Sequence, residues 1–89
     1  MAERRTVEMK NRRGLHARAS AKFVTLASGL PAEVQVEKDG SSVCGTSIMG
    51  LMMLGAAYGD HITISATGDG AEEAVAALAE LVEAKFGEE

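Results

Sequence analysis

The sequence predicts an α+β fold of two layers, an open-faced β-sandwich in which a four-stranded antiparallel sheet carries three helices on one face and water on the other. Three observations predict it. Short stretches alternate polar and apolar residues, as strands with one dry face do. Longer stretches space apolar residues at helical intervals between start and stop signals. At 89 residues the chain can bury one modest core and no second one, so residues 1–89 are expected to form a single domain.

The elements follow in the order β-α-β-β-α-β-α. Thr6-Val7-Glu8-Met9-Lys10 alternates and gives the first strand, and Asn11-Arg12-Arg13-Gly14 reads as a loop. From 17 to 28, Phe23, Val24 and Ala27 share one helical face, with Gly29 and Pro31 to stop the helix. Residues 33–37 alternate again and run into Asp39-Gly40, a pair suited to a type I′ hairpin turn, with a short return strand at 42–45.

Residues 47–55 read as a short second helix, capped by Ser47 and stopped by Gly55, although Gly50 inside it costs about 1 kcal/mol relative to alanine. His61-Ile62-Thr63-Ile64-Ser65-Ala66 is a half-buried strand. For the last helix Asp69 is the expected cap and Glu72 the expected partner in a capping box. Val75, Leu78, Val82 and Phe86 form its apolar stripe, and Gly87 marks its end.

Composition narrows the function. With 46% hydrophobic and 3% aromatic residues, the core must be aliphatic and a base-stacking surface is not expected. Cys44 is the single cysteine, which excludes an intramolecular disulfide, is read as a small hydrophobe, and leaves no Cys/His cluster to suggest a metal; no cofactor is expected. The first ten residues lack the apolar core of a secretory signal, and nothing approaches the ~18 apolar residues of a membrane span, so a soluble protein of the reducing cytoplasm is expected.

Net charge is −4, yet residues 1–22 concentrate Arg4, Arg5, Lys10, Arg12, Arg13, Arg18 and Lys22 against Glu3 and Glu8 alone. That asymmetry predicts a positive end that meets an anion. The stretch GLHARASAKFV sharpens the prediction. If the helix begins at Ala17, His16 is its N-cap, and the free amides of the first turn point toward whatever the imidazole carries. A lone cation at a helix start is disfavoured by ~0.3–1 kcal/mol, so Arg18 makes poor sense as helix stabilisation and good sense if an anion visits. A phosphoryl group on an imidazole nitrogen is such an anion, and the positive terminus favours a neutral, nucleophilic ring.

The segment GLHARASAKFV closely resembles the active-site segment of the HPr family, the histidine-containing phosphocarriers of the bacterial phosphoenolpyruvate-dependent phosphotransferase system. SIMGLMMLG resembles that family's regulatory-serine helix. The resemblance implies an HPr-like fold in which His16 accepts phosphate from Enzyme I through Nδ1 and passes it to an IIA protein. Arg18 orients the phosphate, and the backbone amides of Ala17 and Arg18 help bind it. Ala19 stands where the family usually has proline; alanine is helix-competent and restores an N–H, so the anion site should survive, and the departure bears on partner preference.

By the same resemblance Ser47 matches the serine that HPr kinase/phosphorylase modifies in many members, although its hydroxyl also has a sufficient role as a cap. The second helix has more apolar groups than one face can bury, which predicts that Ile48, Met49 and Met53 pack against partner proteins. His61 is read as a solvated strand-end residue and Tyr58 as a packing residue near a turn.

The resemblance implies a carrier used stoichiometrically and not an enzyme, with no nucleic acid, no membrane insertion and a monomeric state. Two alternatives stand beside sugar uptake: an NPr-type carrier of the nitrogen-regulatory branch, and a non-catalytic α+β interaction module whose histidine is incidental. Nucleic-acid binding is opposed by the acidic total and the scarcity of aromatic residues.

Overall fold

The computed structural model describes residues 2–88. Strand β1 (Ala2–Glu8), helix α1 (Ala17–Ser28), strands β2 (Glu33–Lys38) and β3 (Ser41–Cys44), helix α2 (Ile48–Met53), strand β4 (His61–Thr67) and helix α3 (Ala71–Glu83) occur in the expected order, followed by a 3-10 turn over Lys85–Gly87. The four strands form one sheet in the order β1-β4-β2-β3, with every neighbouring pair antiparallel. Strand β4 thus lies between β1 and β2, and α1 crosses over it.

The sheet has the expected two faces. Val7, Val34, Val36, Ile62, Ile64 and Ala66 are buried beneath the helices, against Phe23, Leu78 and Val82. On the open face Thr6 and Thr63, paired in register, share a hydroxyl hydrogen bond of 2.9 Å, and Arg4 reaches Glu37 at 3.6 Å. Arg4 is therefore engaged on the open face of the sheet.

Three boundaries depart from the sequence reading. Strand β1 starts at Ala2 and ends at Glu8, because its ladder with β4 runs from Ala2 opposite Thr67 to Glu8 opposite His61. Cross-strand pairing extends it where the alternation of its own side chains does not. Asp69 does not cap α3: Gly70 (φ 74) occupies that position and there is no side-chain cap bond. Gly68 (φ 98) and Gly70 carry the chain round a left-handed turn that starts the helix one residue later, while Glu72 and Glu73 still place acidic charge in its first turn.

Phe86 is buried, but outside the regular stripe of α3. The helix ends at Glu83, and Lys85 (φ 60) and Phe86 (φ 56) turn left-handed, folding the ring back into the core. Such a conformation costs about 1–3 kcal/mol per side-chain-bearing residue. Burying Phe86, at 1% exposure, offsets it.

The hairpin turn is as expected, with positive φ at Asp39 (51) and Gly40 (85). Helix α2 tolerates Gly50 for a packing reason: a Cβ there would sit 3.1 Å from the Val43 Cβ and 3.2 Å from the Ser47 Oγ. The missing side chain lets α2 lie close to β3. Among its apolar residues only Leu51 is buried. Two minor readings are corrected, since Cys44 and Tyr58 are both exposed; Cys44 ends an edge strand on the open face, where its Sγ meets the Thr46 hydroxyl at 3.1 Å. No helix among the described residues is long and apolar enough to cross a membrane.

Candidate functional site

The site is built on the loop between β1 and α1. Met9, fully buried, continues past the end of β1 and exchanges backbone hydrogen bonds with Asp60 and Gly59. Asn11 follows, also fully buried, and its Nδ2 donates to the Gly14 carbonyl at 2.8 Å. Gly14 holds φ 62, and a Cβ there would lie 2.2 Å from the Ala56 carbonyl oxygen, so only glycine fits. Leu15 is anchored by its buried side chain and by its amide, which donates to that same carbonyl at 2.9 Å. The loop is thereby fixed on both sides of its turn.

His16 is the N-cap of α1, as expected, in an extended conformation (φ −74, ψ 179). Its carbonyl accepts the Ser20 amide at 2.9 Å, the first bond of the helix, and its Nδ1 accepts the Arg18 amide at 3.2 Å. The ring is neither sealed in nor turned from the helix: its side chain keeps 15% of its surface exposed, and Nδ1 faces the N–H groups of the first turn. A bond of 3.2 Å is long, and the same N–H points to the space that an oxygen of a group attached to Nδ1 would enter.

The other ring nitrogen is occupied. Nε2 lies 2.6 Å from Oε2 of Glu88, whose Oε1 accepts from Asn11 Nδ2 at 3.1 Å. Partial burial pushes the Glu88 carboxyl up, but hydrogen bonds from Asn11 and His16 and the positive charge of Lys22 outweigh it, and its pKa lies below the ordinary value of 4.5. Lys22 is also tied to the C-terminal turn, its Nζ donating to the Phe86 carbonyl at 2.7 Å.

Arg18 and Ala17 are exposed in the first turn of α1. Arg18 lines an open depression of about 1020 Å³ with Lys10, Arg12, Arg13, Lys85, Tyr58 and Glu88. Of the cations that the sequence concentrates near its start, Lys10, Arg12, Arg13 and Arg18 gather here and are joined by Lys85, whereas Lys22 binds the Phe86 carbonyl and Arg4 pairs with Glu37 elsewhere. Ala19, at 0% exposure, packs into the core, and the helix runs through it undisturbed.

Ser47 caps α2 from an extended conformation, its Oγ accepting the Gly50 amide at 3.0 Å. Helix α2 packs on α1 and leaves Ile48, Met49, Met52 and Met53 exposed, at 41%, 71%, 43% and 80%. The structure therefore brings His16, Ala17 and Arg18 together and places Ser47 and the methionine patch on the neighbouring helix. His61 is exposed at the start of β4, as read. Asn11, Lys22 and Glu88 are additions. Glu88 gave no sequence signal, being one of several acidic residues near the end of the chain, while Asn11 could have been noticed as a side-chain donor three residues before a turn glycine.

Fold and site define a small two-layer α+β protein with a partly exposed imidazole capping a helix start whose Arg18 lines a cationic depression. Comparison with known proteins identifies the class. Residues 3–84 match the family model described as "PTS HPr component phosphorylation site". The chain is 48% identical over 85 residues to the phosphocarrier protein HPr of Neisseria meningitidis serogroup A, covering 96% of each. It is 39% identical over 90 residues to the phosphocarrier protein NPr of Escherichia coli K12, covering all of both. Among solved structures, an HPr of Thermoanaerobacter tengcongensis superposes with a TM-score of 0.93 at 49% identity, covering 98% of each chain. The chain belongs to the HPr family of phosphocarriers of the phosphotransferase system.

Proposed function

We propose that residues 1–89 act as one phosphocarrier domain of the phosphoenolpyruvate-dependent phosphotransferase system. His16 takes a phosphoryl group from phosphorylated Enzyme I on Nδ1 and passes it to an IIA protein in sugar uptake, in the cytoplasm where phosphoenolpyruvate is made. The observation that carries this reading is the His16 ring itself, partly exposed at the start of α1 with Nδ1 facing the Arg18 amide.

In this reading the Nδ1 lone pair attacks phosphorus, and the amides of Ala17 and Arg18 and the Arg18 guanidinium receive the phosphoryl oxygens. The open setting suits a carrier. The phosphorus must reach a second protein's nucleophile, so the group has to be oriented by a few charge-assisted hydrogen bonds without being enclosed. The chain is consumed and regenerated stoichiometrically and turns over no small substrate by itself.

Partners dock on the exposed Ile48, Met49 and Met53 beside the basic depression. Ser47 is the regulatory position, where HPr kinase/phosphorylase adds a phosphate to a helix start that accommodates negative charge, changing partner affinity without unfolding α2. The nitrogen-regulatory branch is the second reading, favoured by the full-length match to an NPr.

Incubation with phosphoenolpyruvate and Enzyme I tests the proposal. The expected outcome is an acid-labile, base-stable phosphate on His16 that is absent from His16→Ala, a variant that stays folded. Transfer onward to sugar-specific IIA proteins, in preference to the nitrogen-branch IIA, assigns the branch. No phosphate on the wild-type protein would defeat the reading.

A further inference from the structure

More positive charge gathers near His16 than a single phosphoryl group uses. Such a group on Nδ1, as proposed, is served by the amides of Ala17 and Arg18 and by the Arg18 guanidinium, and His16 itself does not line the cationic depression. Lys10, Arg12, Arg13 and Lys85 line it together with Arg18; all five are exposed, and none is in an ion pair among the described residues. In a chain of net charge −4, five unpaired cations around one concavity repel one another and focus a positive field there. The carboxylate in the lining, Glu88, is already engaged by His16 and Asn11.

The frame that carries these side chains is fixed. Buried Asn11 donates to the Gly14 carbonyl at 2.8 Å, the Leu15 amide donates to the Ala56 carbonyl at 2.9 Å, and Lys85 projects from the left-handed turn that Phe86 anchors in the core. Tyr58 lines the same depression with its ring 67% exposed. Its loop is tied to the residue before Lys10 by two backbone bonds, the Met9 amide donating to Asp60 at 2.7 Å and the Gly59 amide to Met9 at 2.8 Å. An open aromatic face held beside guanidinium and ammonium groups offers a base a flat surface and its phosphates a set of donors. The scarcity of aromatic residues in the sequence conceals this, since one mononucleotide needs only one ring.

We propose that this depression is a binding site for a nucleoside diphosphate or triphosphate. The phosphate oxygens accept from Lys10, Arg12, Arg13 and Lys85, and the base lies on Tyr58. The volume, about 1020 Å³, can seat a ligand of that size. A phosphoanhydride concentrates several negative charges on neighbouring phosphorus atoms, whereas the carboxylates of a protein surface are kept apart by the residues that bear them. Arginines also bind phosphate through two parallel hydrogen bonds, and two of them stand here side by side in the chain. Because Arg18 lines the depression as well, an occupant competes for it with a phosphoryl group on His16. That consequence rests on the phosphocarrier reading; the binding itself does not.

Metal-free ADP, pyrophosphate and adenosine are titrated at low salt into the nitrogen-15-labelled full chain, reading amide shifts and affinity. ADP and pyrophosphate are expected to move the amides of Lys10, Arg12, Arg13 and Lys85, with ADP bound about tenfold more tightly, as for one base stacked on one ring, and adenosine alone not bound. The double variant Arg12→Ala/Arg13→Ala should weaken both phosphate ligands about tenfold or more. Tyr58→Ala should abolish the advantage of ADP over pyrophosphate. Arg4→Ala, which removes a cation from the open sheet face, should leave both affinities unchanged. All these side chains are exposed, and thermal melting establishes that each variant is folded. An equal loss in Arg4→Ala would show unspecific attraction to charge and overturn the proposal. Equal wild-type affinity for ADP and pyrophosphate would overturn it too, leaving an anion site with no place for a base. No binding of either ligand up to millimolar concentration also overturns it; if the arginine variant then slows transfer from Enzyme I, the cations serve an acidic partner surface. None of these titrations involves phosphate on His16, so the proposal and the carrier reading stand or fall separately.

Discussion

The N-termini of α1 and α2 obey the same local rule and are equipped for different chemistry. Each has a capping side chain on an extended residue, His16 accepting from the second helical amide and Ser47 from the third. Around His16 lie Arg18, a cationic depression and a carboxylate brought from the end of the chain. Around Ser47 lie exposed apolar side chains, and its hydroxyl has no partner from a distant part of the chain among the described residues. The difference teaches that a helix start is only a donor array. What converges on it from elsewhere decides whether the cap is structural or is proposed to carry a covalent group.

Four changes break or sharpen that contrast. The largest effect is expected from Phe86→Ala, which removes a fully buried ring and should cost about 3–5 kcal/mol in denaturant unfolding, a large share of a small domain's stability. In the molecules that remain folded it should loosen the Glu88 contact at His16 and leave the Ser47 cap intact, as amide exchange at Gly50 would report. Loss of protection at both termini would show that they are not independent.

Arg18→Ala comes next. The variant should fold, since Arg18 is exposed, and should accept phosphate about ten- to a hundredfold more slowly in stopped-flow transfer from Enzyme I. Unchanged kinetics would remove Arg18 from the site. Ser47→Ala should act in the opposite sense, lowering stability by about 1 kcal/mol and the melting temperature by about 4–8 °C, while His16 is phosphorylated at the wild-type rate.

Acid gives the smallest effect. With its folded pKa depressed, Glu88 contributes stability that is fully present above its ordinary value of 4.5 and is lost only as pH falls through the lower folded value. The side-chain amide signals of Asn11, which donates to that carboxylate, should move as pH falls below 4.5. Signals that stay unchanged below 4.5 would show that Asn11 does not report on this carboxylate as described.

Much of the contrast was legible in sequence because it is local. Helix α1 runs over the span read for it, and His16 and Ser47 cap where they were expected to, since caps, stops and spacing are encoded within a few residues. The α3 start was misread because an Asp followed by Glu three residues later is a good box only if the turn allows it, and the Gly68–Gly70 backbone turns the other way. What distance brings together was not legible. Asn11 and Glu88 are 77 residues apart and meet only because the turn after α3 returns to the loop before α1.

The position of β4 has a consequence for how this protein comes into being. With Thr67 opposite both Ala2 and Glu33, neither β1 nor β2 has its central neighbour until the fourth strand exists. A growing polypeptide can form α1 and the β2–β3 hairpin early, but its first segment must wait for most of the remainder to leave the ribosome. Because closure spans so much intervening chain, assembly should be slow relative to helical proteins of this size, and the apolar edge of the early hairpin is exposed to chaperones until β4 arrives.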